Sequence, residues 1–179
     1  MKVKIVLNKN LSLSEKRAIN KARVSHWGEK NRKDFTKDYE PNTRWVFVKK
    51  DGKIVSLGGI RPIRVRYLGK NYNIGGICST ISIEKKKGYG RMMIKAMRDY
   101  SKKTGKSLLG FTGKQNLKIF KRTGLKTKVD FIKRFVWIKS SGEREYDDDG
   151  HGIYYDGKDH LLSRMLKGKK MAEIFVEFW

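Results

Sequence analysis

Apolar and charged residues alternate over residues 2–8, which predicts a first strand with Val3, Ile5 and Leu7 facing inward. The period then changes. Ser12-Leu13-Ser14-Glu15 has capping-box spacing, and a helix is expected from there to about His26, with Ile19, Ala22 and Val24 on its buried side. Residues 29–42 hold few aliphatic side chains, but Phe35 and Tyr39 stand one helical turn apart, so a short, partly exposed helix is expected. Two runs, 45–50 and 53–67, flank Asp51-Gly52, and Leu68-Gly69-Lys70-Asn71 turns into a third, 71–83. This pattern predicts a three-stranded antiparallel meander, with a bulge or bend at Gly58, Gly59 and Pro62.

The stretch from Ile74 to Lys103 combines both periods. Residues 77–83 alternate apolar and small polar side chains, as a strand does. Met92, Met93, Ala96, Met97 and Tyr100 then recur at helical spacing and predict a helix with one apolar face. Between them stands Lys85-Lys86-Lys87-Gly88-Tyr89-Gly90-Arg91. Two glycines let the backbone turn tightly and uncover its N–H groups at a helix N-terminus ringed by cations, a spot that suits a pyrophosphate. An ordinary strand–helix connection would use the same glycines. The dinucleotide pattern G-x-G-x-x-G is not met, because Met93 stands at the third glycine. Further on, residues 107–111 predict a strand parallel to 77–83, since a helix crossover joins them. A short helix over 115–122 should end at Gly124, and 128–139 should be one long, bulged strand. After the linker-like Ser140-Ser141-Gly142 come an acidic cluster (143–149), a helix over 159–166 and a final apolar strand over 174–179.

Lys85-x-x-Gly88-x-Gly90 resembles the [RQ]-x-x-G-x-[GA] motif of the GNAT N-acetyltransferase superfamily, with Lys for Arg or Gln. Residues 115–125, QNLKIFKRTGL, are similar to that family's second signature, a helix ending in Tyr-x-x-x-Gly-Phe. The resemblance covers residues 45–125. It implies an α/β fold: a GNAT-like mixed, largely antiparallel sheet with helices on both faces over 1–139, plus a C-terminal extension, 140–179, packed on the same domain. It implies acetyl-CoA as co-substrate. The backbone of Lys86, Lys87, Gly88, Tyr89, Gly90 and Arg91 would cradle the coenzyme A pyrophosphate, and that of Ile81 and Ile83 would pair with the pantetheine arm. The family's usual catalytic tyrosine aligns with Phe120, which cannot donate a proton, and Gly113 falls where a coenzyme-contacting asparagine belongs. Glu84, at the strand's end, and Asp149, in Asp147-Asp148-Asp149 beside His151, are the candidate bases; each reads equally as a solvated carboxylate. No His or Cys gives the cluster metal-ligand spacing, so no metal is expected. Cys78 reads as a small buried residue rather than a nucleophile. Asp147-Asp148-Asp149-Gly150 with a terminal strand ending in Trp179 also looks like the tail of aminoglycoside 2'-N-acetyltransferases, whose corresponding aspartate and chain-terminal carboxylate bind the drug's amines. Those enzymes are acidic, however, and their tyrosine is Phe120 here.

Composition adds one feature. The 179 residues carry 43 Lys and Arg against 18 Asp and Glu, a net charge of +25. Lysine drift on a solvated surface and a polyanionic partner both account for it. For nucleic acid, the expected contacts are Lys30, Arg32 and Lys33, with Arg61, Arg64 and Arg66 on one face of the middle strand. The single cysteine excludes an internal disulfide, and no run approaches a membrane span or a signal peptide's apolar core; a cytoplasmic location is expected. The function expected is acetyl-CoA-dependent transfer to an amine acceptor, nucleic-acid- or ribosome-associated on the strength of the charge. The alternatives are a non-catalytic coenzyme A- or nucleic-acid-binding protein of the same fold, and an aminoglycoside-type enzyme.

Overall fold

The structure, a computed structural model, describes residues 1–176. In chain order the elements are β1 (Lys2–Leu7), α1 (Leu13–Trp27), β2 (Arg44–Lys50), β3 (Lys53–Tyr67), β4 (Lys70–Ser82), α2 (Tyr89–Thr104), β5 (Leu108–Thr112), α3 (Leu117–Lys121), β6 (Lys126–Lys128), β7 (Phe135–Ile138), β8 (Arg144–Glu145), β9 (His151–Tyr155), α4 (Leu161–Lys167) and β10 (Ala172–Phe175). This is a mixed α/β fold whose sheet is largely antiparallel. The elements gather into two compact units: Met1–Arg61 with Cys78–Met97, and Pro62–Ile77 with the chain from Arg98 on. β3, β4 and α2 each give a part to either unit. Among the described residues no helix is long and apolar enough to cross a membrane.

In the first unit, β1, β2 and β3 are successive antiparallel neighbours, with Ile5 opposite Val46 and Val46 opposite Gly58. Asp51 and Gly52 both have positive φ, the geometry of a tight hairpin turn. α1 starts in the expected capping box, where Ser12 and Glu15 exchange side-chain-to-backbone hydrogen bonds. Lys4 reaches Glu15, so the even positions of β1 face α1. The opposite face carries Gly58, where a Cβ would come 2.5 Å from Met97 Cε and 2.6 Å from Met93 Sδ; α2 therefore covers that side. Helices thus lie on both faces. The orientation expected for β1 is corrected: Val3 and Ile5 are 44% and 40% exposed, because the α1 side is taken by Lys4 and Val6. The helix expected in 29–42 is also absent. A 3-10 turn, Glu29–Asn31, opens the segment, and Phe35 and Tyr39 are buried against Trp45 instead of riding an exposed helix.

In the second unit the strand order is β6-β9-β5-β4-β3-β10-β7-β8. β5 runs parallel to β4, as the crossover requires, and pairs with it at Gly75 and Gly76. Residues beyond 140 supply β9, which lies between β5 and β6, and β10, which lies between β3 and β7. The core gathers Val65, Leu109, Phe131, Phe135, Leu161 and Ile174, all fully buried. The single long strand expected over 128–139 is instead two short ones, β6 and β7. Asp130, with φ +53, and a 3-10 turn at Phe131–Arg134 separate them. That break turns Phe131 and Phe135 onto one another, with ring centroids 5.1 Å apart.

Candidate active site

The glycine loop lies where the sequence puts it. β4 ends at Ser82, the chain turns through Lys85 and Lys86, and α2 begins at Tyr89. Lys86 has φ +61 and Gly88 φ +82, so two left-handed residues bring the backbone into the helix. A Cβ on Gly88 would meet only Arg91 Nη2, at 3.7 Å; glycine is needed there for its backbone angle, not for space. The carbonyl of Gly88 takes the first helical bond, from the Met92 N–H at 3.2 Å. The N–H groups of Tyr89, Gly90 and Arg91 belong to the first turn and have no acceptor within the helix. Lys85, Lys86, Lys87 and Arg91 are all exposed around them. Such a loop attracts an anion through both dipole and charge.

Hydrogen bonding shifts one part of the expected site by a residue. Ile83 N–H donates to the Val55 carbonyl at 3.0 Å, and the Ile81 carbonyl accepts from Ser56 Oγ at 2.9 Å, so both residues turn their backbone groups toward β3. Backbone groups alternate sides along a strand. The edge away from β3 therefore belongs to Thr80 and Ser82, which corrects the expectation for Ile81 and Ile83. Their side chains, with those of Lys21, Lys49, Lys53 and Lys85, line a cavity of about 540 Å³ in the first unit.

Among the described residues, neither candidate base has a partner that would prepare it for catalysis. Glu84 is exposed; its carbonyl accepts from Ser82 Oγ. Asp149 is exposed in the second unit, its N–H donating to Asp147 Oδ1 at 3.0 Å in a local turn. His151 is engaged elsewhere, its Nδ1 accepting the Asp130 N–H at 3.0 Å. Among the described residues no group of three His, Cys, Asp or Glu side chains is placed to hold a metal. Phe120 is 5% exposed on α3. Trp179, whose carboxylate figured in the aminoglycoside resemblance, lies outside the described residues.

The arginines expected to bind nucleic acid are occupied. Arg61 is buried and doubly bonded to Glu40, at 2.6 and 3.0 Å. Arg64 stacks on Phe175 of β10 at 4.2 Å, and Arg66 pairs with Glu173 of the same strand. Arg32 pairs with Glu29, and Lys33 lies 3.9 Å from Asp38. Along β3, Arg61 is buried whereas Arg64 and Arg66 are exposed, so the three do not share one face of the strand.

Sequence reading missed a polar cluster in the first unit. Arg23 of α1 is buried; its Nε donates to the Asn31 carbonyl at 2.9 Å and its Nη1 donates to Ser79 Oγ. Tyr39 hydroxyl lies 3.3 Å from the same oxygen. Burial holds the Tyr39 phenol above its ordinary pKa, and burial pushes the Cys78 thiol up to about 12, so both are neutral at physiological pH. One signal could have found the cluster: Arg23 follows Ile19 and Ala22 on the apolar side of α1, an odd place for a guanidinium.

No family model matches the sequence, and no curated protein matches it either. Solved structures do. ElaA from Escherichia coli is 14% identical, with 86% of this chain and 97% of that one covered and a TM-score of 0.59. An acyl-CoA N-acyltransferase from Pseudomonas aeruginosa is 13% identical over 86% and 97%, with a TM-score of 0.57. Tetrahymena GCN5 is 13% identical over 86% and 96%, with a TM-score of 0.55. Nothing in these likenesses singles out the aminoglycoside enzymes. At such identities they speak for architecture: the protein has the fold of the GNAT acyltransferases.

Proposed function

We propose that the protein is an acetyl-coenzyme A-dependent N-acetyltransferase acting on an amine acceptor. The observation that carries this reading is the loop of residues 85–91, where two left-handed residues deliver the chain into α2 among four exposed cations. The backbone N–H groups of that loop hold the coenzyme's pyrophosphate, and Lys86, Lys87 and Arg91 add charge. The pantetheine arm then runs along β4 as an added strand, on the edge presented by Thr80 and Ser82. The fold shared with an acyl-CoA N-acyltransferase supports this assignment. A nucleic-acid-associated acceptor loses its footing, because most of the cations invoked for it are paired or stacked within the protein.

Calorimetry tests the coenzyme site directly. Gly88→Val should abolish acetyl-CoA binding, since valine resists the left-handed angle that exposes the loop's N–H groups. Unchanged affinity in a folded variant overturns the assignment. The second reading, a coenzyme-binding protein without chemistry, is favoured by Phe120 at the tyrosine position. Thiol release from acetyl-CoA above background, in the presence of amines, decides against it.

A further inference from the structure

Ser79 has φ +51 inside a strand, a conformation that a serine keeps only when its surroundings impose it. Arg23 and Tyr39 converge on its hydroxyl from α1 and from the 28–43 segment. The charges there do not cancel. Arg61 is matched by Glu40. Arg23, only 8% exposed, has no carboxylate partner among the described residues; it has the Asn31 carbonyl, Ser79 Oγ and the Trp27 ring at 5.1 Å. Cys78 and Tyr39 cannot supply the missing negative charge, because burial keeps both protonated. A buried guanidinium without an anion is costly, and one positive charge is left over at this spot. Ser79 itself is only half-buried, so the cluster reaches solvent.

We propose that Arg23, with Tyr39 and Ser79, receives a carboxylate carried by the acceptor, so that the substrates are amino-acid-like anionic amines. The inference rests on the acetyl-transfer reading above. The leftover charge is single, which matches a carboxylate better than a phosphate dianion. Arg23 spends Nε and one hydrogen of Nη1 inside the protein, leaving the Nη1/Nη2 end of its planar fork for two parallel bonds to carboxylate oxygens. Ser79 lies four residues before Ile83, about 13 Å along the extended chain, and the loop proposed to hold the pyrophosphate begins two residues further on. An extended arm laid on β4 from that loop runs toward it. The same surplus charge repels a polycationic acceptor.

Calorimetry on the whole protein with coenzyme A bound reads the site without turnover. The probes are N-acetylglycine, N-acetylleucine and N-acetylphenylalanine, each as the free acid and as its carboxamide. The acids should bind on the order of 10- to 100-fold more tightly than the amides. Arg23→Gln should erase that difference while leaving coenzyme affinity unchanged, and Arg23→Lys should restore part of it. If Arg23→Gln does not fold, the acid–amide comparison on the native protein still decides. Equal binding of acid and amide, no binding of either, or tighter binding of inorganic phosphate than of the acids overturns the proposal. Acid-selective binding without thiol release from acetyl-CoA and any amine would retire the transferase reading and leave the carboxylate receptor standing. Thiol release as fast with amines lacking a carboxylate as with amino acids would do the reverse.

Discussion

Phe120 shows how a single side chain can be named from a motif while its environment stays hidden. It falls at the position of a family's tyrosine, yet the ring is 5% exposed, and Thr123 Oγ1 caps its own carbonyl. A hydroxyl added to a ring so enclosed loses water without a designed partner. Phe120→Tyr should therefore destabilise the protein by about 1–3 kcal/mol, read as a fall in Tm, and should not raise the rate of thiol release. A variant of unchanged Tm with higher activity would place this ring against the reacting atoms. Arg23 is the opposite case: its environment, not its motif, marks it out.

Elements are tied together in the first unit by one carboxylate. Glu15 of α1 accepts from Lys4 of β1 at 2.9 Å and from Lys49 of β2 at 3.2 Å, besides closing the capping box. Burial works to raise its pKa, but the hydrogen bonds from Lys4, Lys49 and the Ser12 N–H outweigh it and bring the group down to about 2. A folded-state pKa below the unfolded one means stability that is present above about 4.5 and lost as pH falls toward about 2. Glu15→Gln keeps a side chain able to close the box, so it isolates the charge. At pH 7 it should cost about 2 kcal/mol by denaturant unfolding, and it should flatten the acid limb of the stability curve. An acid limb identical to that of the native protein would show that the two lysines contribute nothing through this group.

For the whole molecule, the net charge of +25 is the dominant field. It draws anions in general, and would draw the proposed coenzyme and carboxylate-bearing acceptor without needing a patterned surface. Binding of nucleic acid is another matter, since it needs cations free to replace counterions. With Arg61 buried against Glu40, Arg64 stacked on Phe175 and Arg66 paired with Glu173, titration with tRNA or duplex DNA should be weak and non-saturating at 200 mM salt. A saturable isotherm whose log–log salt slope reaches about −5, the value for some six phosphate contacts, would restore the nucleic-acid reading.

What the sequence alone determined is what neighbouring residues decide among themselves. The capping box at Ser12, the Asp51-Gly52 turn, the apolar face of α2 and the left-handed entry at Gly88 all follow from patterns a few residues long, because backbone angles are set locally. The tertiary structure decided which face of each element is buried and which charge meets which. Arg23 finds Ser79 across 56 residues and Arg66 finds Glu173 across 107, distances over which no periodicity carries information. That is why β1 turned its alternation outward, why 128–139 broke so that two phenylalanines could meet, and why three arginines that read as a basic stripe became one buried counter-ion, Arg61, and two exposed partners of β10, Arg64 and Arg66. The glycine loop of residues 85–91 could be read early because its geometry lies in its own backbone. The Arg23–Tyr39–Ser79 cluster could not, because it exists only where three distant segments meet.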